Sequence, residues 1–123
     1  MYTLAIDTST KTASAALLRD DEVFVEVFVN VGLNHSEVLL PAIDNICRTA
    51  GIGVSDIELF ACTTGPGSFT GLRIGAATVK GMALAGGKPI AGVSTLDALA
   101  FNAAGSAHAI CPMLDARKSQ VYA

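Results

Sequence analysis

The sequence has no tryptophan, and charged residues make up only 15% of its 123 positions. That is well under the roughly 25% usual for soluble domains. A chain so short of charge cannot easily clothe a free-standing surface. An extensive apolar interface is expected, with a partner, another copy or a second domain. Basic residues are scarce too: eight Lys and Arg against eleven Asp and Glu leave a net charge of −3. Only Arg117 and Lys118 stand next to each other. Phosphate backbones are gripped by clustered Lys and Arg, so nucleic acid is not expected to be held by this chain alone. Apolar residues reach 51%, yet no run approaches the ~18 residues of a membrane span. Without a basic leader and cleavage signal, a cytoplasmic location is expected. The three cysteines, Cys47, Cys62 and Cys111, are odd in number and lack Cys-x-x-Cys spacing. They read as small core residues of a reducing compartment. His35 and His108 have no second His three or four residues away, so no metal site is expected from this chain alone.

What is present is a clear order of elements. Tyr2–Asp7, Ala13–Leu18 and Val23–Val29 read as strands joined by tight turns, an antiparallel meander. Asn34 and Glu37 have capping-box spacing and start a helix at His35. Val38, Leu39, Ala42, Ile43, Ile46 and Ala50 form its apolar stripe, and Gly51 its C-cap. Pro41 should kink or restart it. A strand over Leu59–Thr63 leads into a second helix at about 72–85, unusually rich in Gly and Ala. Interior glycine costs ~1 kcal/mol relative to alanine. Gly75 and Gly81 therefore point to close packing, against either this domain's own sheet or a partner. Pro89–Val93 is a fifth strand, and Ser94 and Asp97 cap a third helix reaching about Ala104. Ala109–Leu114 reads as strand, and Gln120–Tyr122 as the return of a new hairpin. Three antiparallel strands followed by helix-crossed parallel strands make a mixed α/β fold. The division expected is a lobe over 1–113 and, over 114–123, the opening hairpin of a second lobe.

The densest signal is Gly65-Pro66-Gly67-Ser68-Phe69-Thr70-Gly71-Leu72-Arg73-Ile74-Gly75, a rigid turn from strand into helix. It is no P-loop, because Leu72 and Arg73 follow Gly71 where Lys and Ser or Thr are required. It is no nucleophile elbow, because Ser68 has Pro66 and Thr70 at its second neighbours. Two roles remain open. The turn either docks an anion at the helix start, near Arg73, or lets two backbones pack closely. Asp7, Thr8, Ser68 and Thr70 are the candidate nucleotide or anion contacts, since Asp7-Thr8-Ser9-Thr10 ends a strand as a phosphate or Mg²⁺ turn would. The competing role for Asp7 is to cap its own turn. Likewise, Asp115, Arg117 and Lys118 mark either a lobe junction or a solvated hairpin tip.

Ile6-Asp7-Thr8-Ser9, the His35-Ser36-Glu37 helix start, Gly65–Gly75, Gly92-Val93-Ser94-Thr95-Leu96 and Asp115-Ala116-Arg117 stand in an order and spacing that closely resemble the TsaB (YeaZ) family. That family acts in forming threonylcarbamoyladenosine on tRNA. The resemblance covers the whole chain. It implies an actin-like ASKHA (ribonuclease H-like) fold with two lobes, of which this chain looks like the first.

It also implies a non-catalytic subunit that binds and stabilises the catalytic homologue TsaD, with the ATPase TsaE as a third member. A homodimer is implied when TsaD is absent, tRNA is contacted only indirectly, and no membrane is involved. No cofactor of its own is implied, although ATP or ADP at the partner interface fits the family. In the related TsaD pattern a helix presents His-x-x-x-His to a metal. Here His35 is followed by Leu39, so the pair is broken and no catalytic residue is assigned. By the same resemblance the partner surface lies on the first two helices, through His35, Leu39, Ile43 and Ile46 and through Arg73, Gly75, Val79 and Met82. The alternatives are an ASKHA-type phosphotransferase built on Asp7, and a glycoprotease-type metallopeptidase built on His35, Glu37 and Asp44.

Overall fold

The computed structural model describes residues 1–30 and 34–123. Strands β1 (Tyr2–Asp7), β2 (Thr12–Arg19) and β3 (Glu22–Asn30) form the expected meander. Helix α1 (His35–Ala50) and a short 3₁₀ turn (Val54–Asp56) carry the chain back to β4 (Ile57–Thr63), which pairs with β1 in parallel. Helix α2 (Phe69–Gly86) then returns it to β5 (Ile90–Val93), parallel to β4. The sheet order is β3-β2-β1-β4-β5. Helix α3 (Thr95–Phe101) follows, and β6 (Leu114–Arg117) pairs with β7 (Gln120–Tyr122) as a separate two-stranded hairpin. A mixed α/β architecture is what the alternation of strand and helix dictates, because parallel neighbours require crossovers.

The core lies between the sheet and α1 with α2. Strand side chains alternate faces, so Leu4 and Ile6 of β1 and Ala15 and Leu17 of β2 point to the same layer. Leu39, Ile43 and Ile46 recur at helical spacing and enter it from α1, while Val79 and Ala83 enter from α2. The small inner face of α2, with Gly71, Gly75 and Ala83, lets its backbone approach closely, and this is why small residues are tolerated at those positions. Burying side chains such as Leu4, Leu17, Ile46 and Phe60 stabilises the fold by about 1.5–3 kcal/mol each.

Four local expectations change. The capping box at Asn34 does not form: its side chain makes no cap bond, and Glu37 N–H donates instead to the Asn34 carbonyl at 3.2 Å. Pro41 does not restart α1, which runs unbroken through it. Pro41 and Glu37 are both exposed, so water can serve the Glu37 carbonyl that loses its helical donor. Helix α3 ends at Phe101, after which Asn102, Ala103 and Ala104 bond three residues back, to Leu99, Ala100 and Phe101. That tightening is the usual unwinding of a helix end. The strand expected over Ala109–Leu114 begins only at Leu114, because β7 is three residues long and pairs within Leu114–Arg117.

Candidate functional site

The β1–β2 turn and the start of α2 are locked together. Asp7 Oδ1 accepts from Ser9 N–H at 3.0 Å and from Thr63 Oγ1 at 2.8 Å. Thr8 Oγ1 donates to the Gly71 carbonyl at 2.7 Å, and Ser68 N–H donates to the Ser9 carbonyl at 2.7 Å. Ser68 is the N-cap of α2, accepting from Gly71 N–H at 3.1 Å. A Cβ on Gly71 would run into the Thr8 carbonyl oxygen, and one on Gly75 into Thr8 Oγ1. The glycines are therefore there so that the helix backbone can lie directly on the turn. Of the two roles open for this motif, close packing is the one its contacts serve.

That arrangement places the candidate anion contacts. Asp7, Thr8 and Ser68 are gathered within the lock through Asp7 Oδ1, Thr8 Oγ1 and Ser68 Oγ, while Thr70 faces solvent. Among the described residues, Ser9 Oγ and Thr95 Oγ1 are buried with no hydrogen-bond partner. For Asp7, the turn-capping role accounts for its bond to Ser9.

His35 performs a related task from the other side. It is 2% exposed, and its Nε2 lies 2.6 Å from the Thr10 carbonyl and 3.2 Å from that of Thr12. Two carbonyl acceptors at one ring nitrogen require that nitrogen to carry the proton. The side chain thus ties the first turn of α1 to the β1–β2 turn. The residues missed by sequence reasoning are its acceptors, Thr10 and Thr12. Nothing in their identity signals the bond, because the carbonyls belong to the backbone.

The proposed partner residues fare unevenly. His35, Leu39, Ile43, Ile46, Gly75 and Val79 are all buried within this domain, and so cannot present side chains to a partner. The apolar stripe of α1 faces its own sheet, as a single stripe on a helix over a sheet must. Arg73 is exposed, with its guanidinium 5.2 Å from the Phe69 ring centre. Met82 is half-buried and lines a depression of about 520 Å³ together with Val54, Phe60, Gly81, Ala85 and Lys88. The solvent face of the helix pair carries Leu40 and Pro41 among the polar Ser36, Glu37, Asp44, Asn45, Arg48 and Thr49 on α1, and Phe69, Arg73, Lys80, Gly81 and Leu84 on α2. Leu84 is 85% exposed and Phe69 74%. Among the described residues, nothing beyond the adjoining backbone of α2 itself lies within 4 Å of where a Cβ at Gly81 would stand, so internal packing gives no reason for a glycine there.

Burial pushes the Cys47 and Cys62 thiols above their ordinary value, which suits core residues and not nucleophiles. At the β6–β7 tip, Asp115 Oδ1 accepts from Arg117 N–H at 2.8 Å, and Arg117, Lys118 and Ser119 all have positive φ. These side chains are exposed, and the solvated turn describes them as they stand.

Residues 30–123 match the family model described as TsaD, tRNA N6-adenosine threonylcarbamoyltransferase. The chain is 39% identical over 99% of its length to the tRNA threonylcarbamoyladenosine biosynthesis protein TsaB of Bacillus subtilis, covering 53% of that protein. A solved structure described as an uncharacterized protein with similarity to peptidase YeaZ from Pseudomonas aeruginosa superposes with a TM-score of 0.90. The two are 35% identical, over 98% of this chain and 56% of the other. A ROK hexokinase from Thermus thermophilus shares the fold at a TM-score of 0.54 and 18% identity, over 84% of this chain and 38% of its own. The chain thus spans about half the length of the curated relatives it matches. With the β3-β2-β1-β4-β5 sheet, this establishes the actin-like ASKHA architecture, and the chain belongs to the TsaD family as a member of its TsaB (YeaZ) type.

Proposed function

We propose that this chain serves threonylcarbamoyladenosine formation on tRNA as a non-catalytic subunit that binds and orders TsaD. The observation that carries this reading is the solvent face of α1 and α2. Leu40, Phe69 and Leu84 stand exposed there, and the open notch at Gly81 lies about one turn from Leu84. Large apolar side chains around a small-residue gap are the raw material of helix-against-helix docking. The structural use of His35 supports a non-catalytic role, since its Nε2 proton is committed to two backbone carbonyls. Within the same proposal, TsaE is a further partner, tRNA is contacted through TsaD, and residues 114–123 open a second lobe. A copy of this chain takes the helix face when TsaD is absent, and ATP or ADP binds where the partners meet.

The test is size-exclusion chromatography with light scattering on this chain mixed with TsaD. A stable complex that is lost on Leu84→Lys or Leu40→Glu is the expected result. A complex indifferent to both substitutions would remove the helix face from the proposal. No complex at all would remove TsaD.

A further inference from the structure

Gly81 sits in the interior of α2 with ordinary helical backbone, where glycine weakens a helix relative to alanine. Packing inside the chain does not offset that loss, because the space where a side chain would stand is open. That space belongs to the depression of about 520 Å³, lined by Phe60, Met82, Gly81 and Ala85 together with Val54 of the 3₁₀ turn. Lys88 is the one charged residue among those described that line it. A second glycine seats this lysine. A Cβ on Gly86 would stand 3.2 Å from Lys88 Cγ, so the lysine stem lies across the end of α2 where a larger residue would crowd it. An apolar hollow with a single cation beside it fits a bulky apolar side chain that has a carboxylate close by.

The chain carries that combination on the other helix of the same layer. On α1, Leu40 is 57% exposed, with Glu37 three residues before it and Asp44 four after it, on the same helix face. Asp44 is taken by Arg48 at 2.8 Å, whereas Glu37 makes no ion pair among the described residues. We propose that Leu40 of a second copy enters the Gly81 depression while Glu37 of that copy pairs with Lys88, and that a two-fold axis makes the contact twice. Both helices run against β1 and β4, since each joins strands that point the same way, β3 to β4 and β4 to β5. Leu40 lies in the first half of α1, and Gly81, Ala85 and Lys88 lie toward or beyond the end of α2. They therefore stand at opposite ends of the helix layer. Pairing two layers antiparallel brings each Leu40 over the other copy's hollow, as an isologous contact requires. The contact rests on the reading above that a copy of the chain takes the helix face when TsaD is absent, and it fixes which residues meet there.

Light scattering over a dilution series of the 123-residue chain, without TsaD, tests the pairing. Gly81→Leu fills the hollow at a site open enough to accept the side chain. It is expected to leave thermal stability unchanged or raised, and to weaken the dimer at least about tenfold. Lys88→Glu and Glu37→Lys are each expected to weaken it by a similar factor. The double variant is expected to recover dimerisation to within about threefold of the parent. A merely structural role of either residue would not produce that recovery. Far-UV circular dichroism establishes that each variant is folded. A dimer indifferent to Gly81→Leu overturns the proposal, and so does a double variant no better than Lys88→Glu alone. If Leu84→Lys breaks the dimer while these variants leave it intact, the helix-face reading stands and this contact falls. A monomer at every concentration removes self-association from the helix face, and the contact with it.

Discussion

Changing Gly71 and Gly81 to alanine, one at a time, is expected to move stability in opposite directions. Both lie inside α2, where replacing glycine with alanine ordinarily stabilises a helix by about 0.4–1 kcal/mol. At Gly81 nothing lies within 4 Å of the added methyl, so that gain should be realised. At Gly71 the methyl would overlap the Thr8 carbonyl oxygen. That oxygen belongs to the backbone of a turn held by Asp7, Ser68 and His35 and cannot swing aside like a flexible side chain. Relieving the overlap displaces α2, at about 1–3 kcal/mol for overpacking. It also strains the buried bond from Thr8 Oγ1 to the Gly71 carbonyl, worth roughly 1 kcal/mol. After subtracting the helix-propensity gain, Gly71→Ala should lose about 1–3 kcal/mol. Urea denaturation followed by far-UV circular dichroism measures both variants against the parent. If Gly71→Ala matches or exceeds the parent, the close-packing account of the glycine turn is wrong.

His35→Ala removes the donor for two backbone carbonyls and leaves a void, and should cost about 2–4 kcal/mol in the same assay; an unchanged midpoint would deny it the tie between α1 and the β1–β2 turn. Cys111 is exposed while Cys47 and Cys62 are buried with thiols pushed up from 9.0, so iodoacetamide at neutral pH should label Cys111 first, as mass spectrometry of peptides would reveal. Because the two buried thiols hold their protons more tightly when folded, their contribution to stability is present below the unfolded thiol value and is lost as pH climbs through the raised folded one. The amino terminus bonds Asp20 at 2.8 Å, raising the ammonium and lowering the carboxyl. The raised amine contributes below its unfolded value and is lost as pH rises through the folded one; the lowered acid contributes above its unfolded value and is lost as pH falls through the folded one. Asp20→Asn should therefore flatten both flanks of the stability profile slightly, the pair being fully exposed, and an unaltered profile would mean the contact is not populated.

The order of strands and helices was legible because each element carries its own period. Leu4 and Ile6 alternate, while Leu39, Ile43 and Ile46 recur along one helix face, and these patterns follow from local geometry. The Ser94 cap and the αL Gly51 were legible for the same reason, since each depends on neighbours a few residues away. The family was legible because its motifs are short, specific and ordered along the chain.

What the sequence could not give was the direction in which an apolar helix side chain points. Leu39, Ile43, Ile46 and Val79 suit either a partner surface or a core, because burial by one's own sheet and by another molecule demand the same chemistry. Only the docking of α1 and α2 onto the sheet decided for the core, and it handed the outer surface to Leu40, Phe69 and Leu84. Gly71 and Gly75 posed a similar ambiguity. A glycine beside a helix start can welcome an anion or another backbone, and local sequence is the same in both cases. The β1–β2 turn fills that space, but Thr8 lies 63 residues away from Gly71 along the chain. Periodicity and caps are local and so are written in the sequence; which surfaces meet is a property of the folded whole, fixed by packing between distant segments.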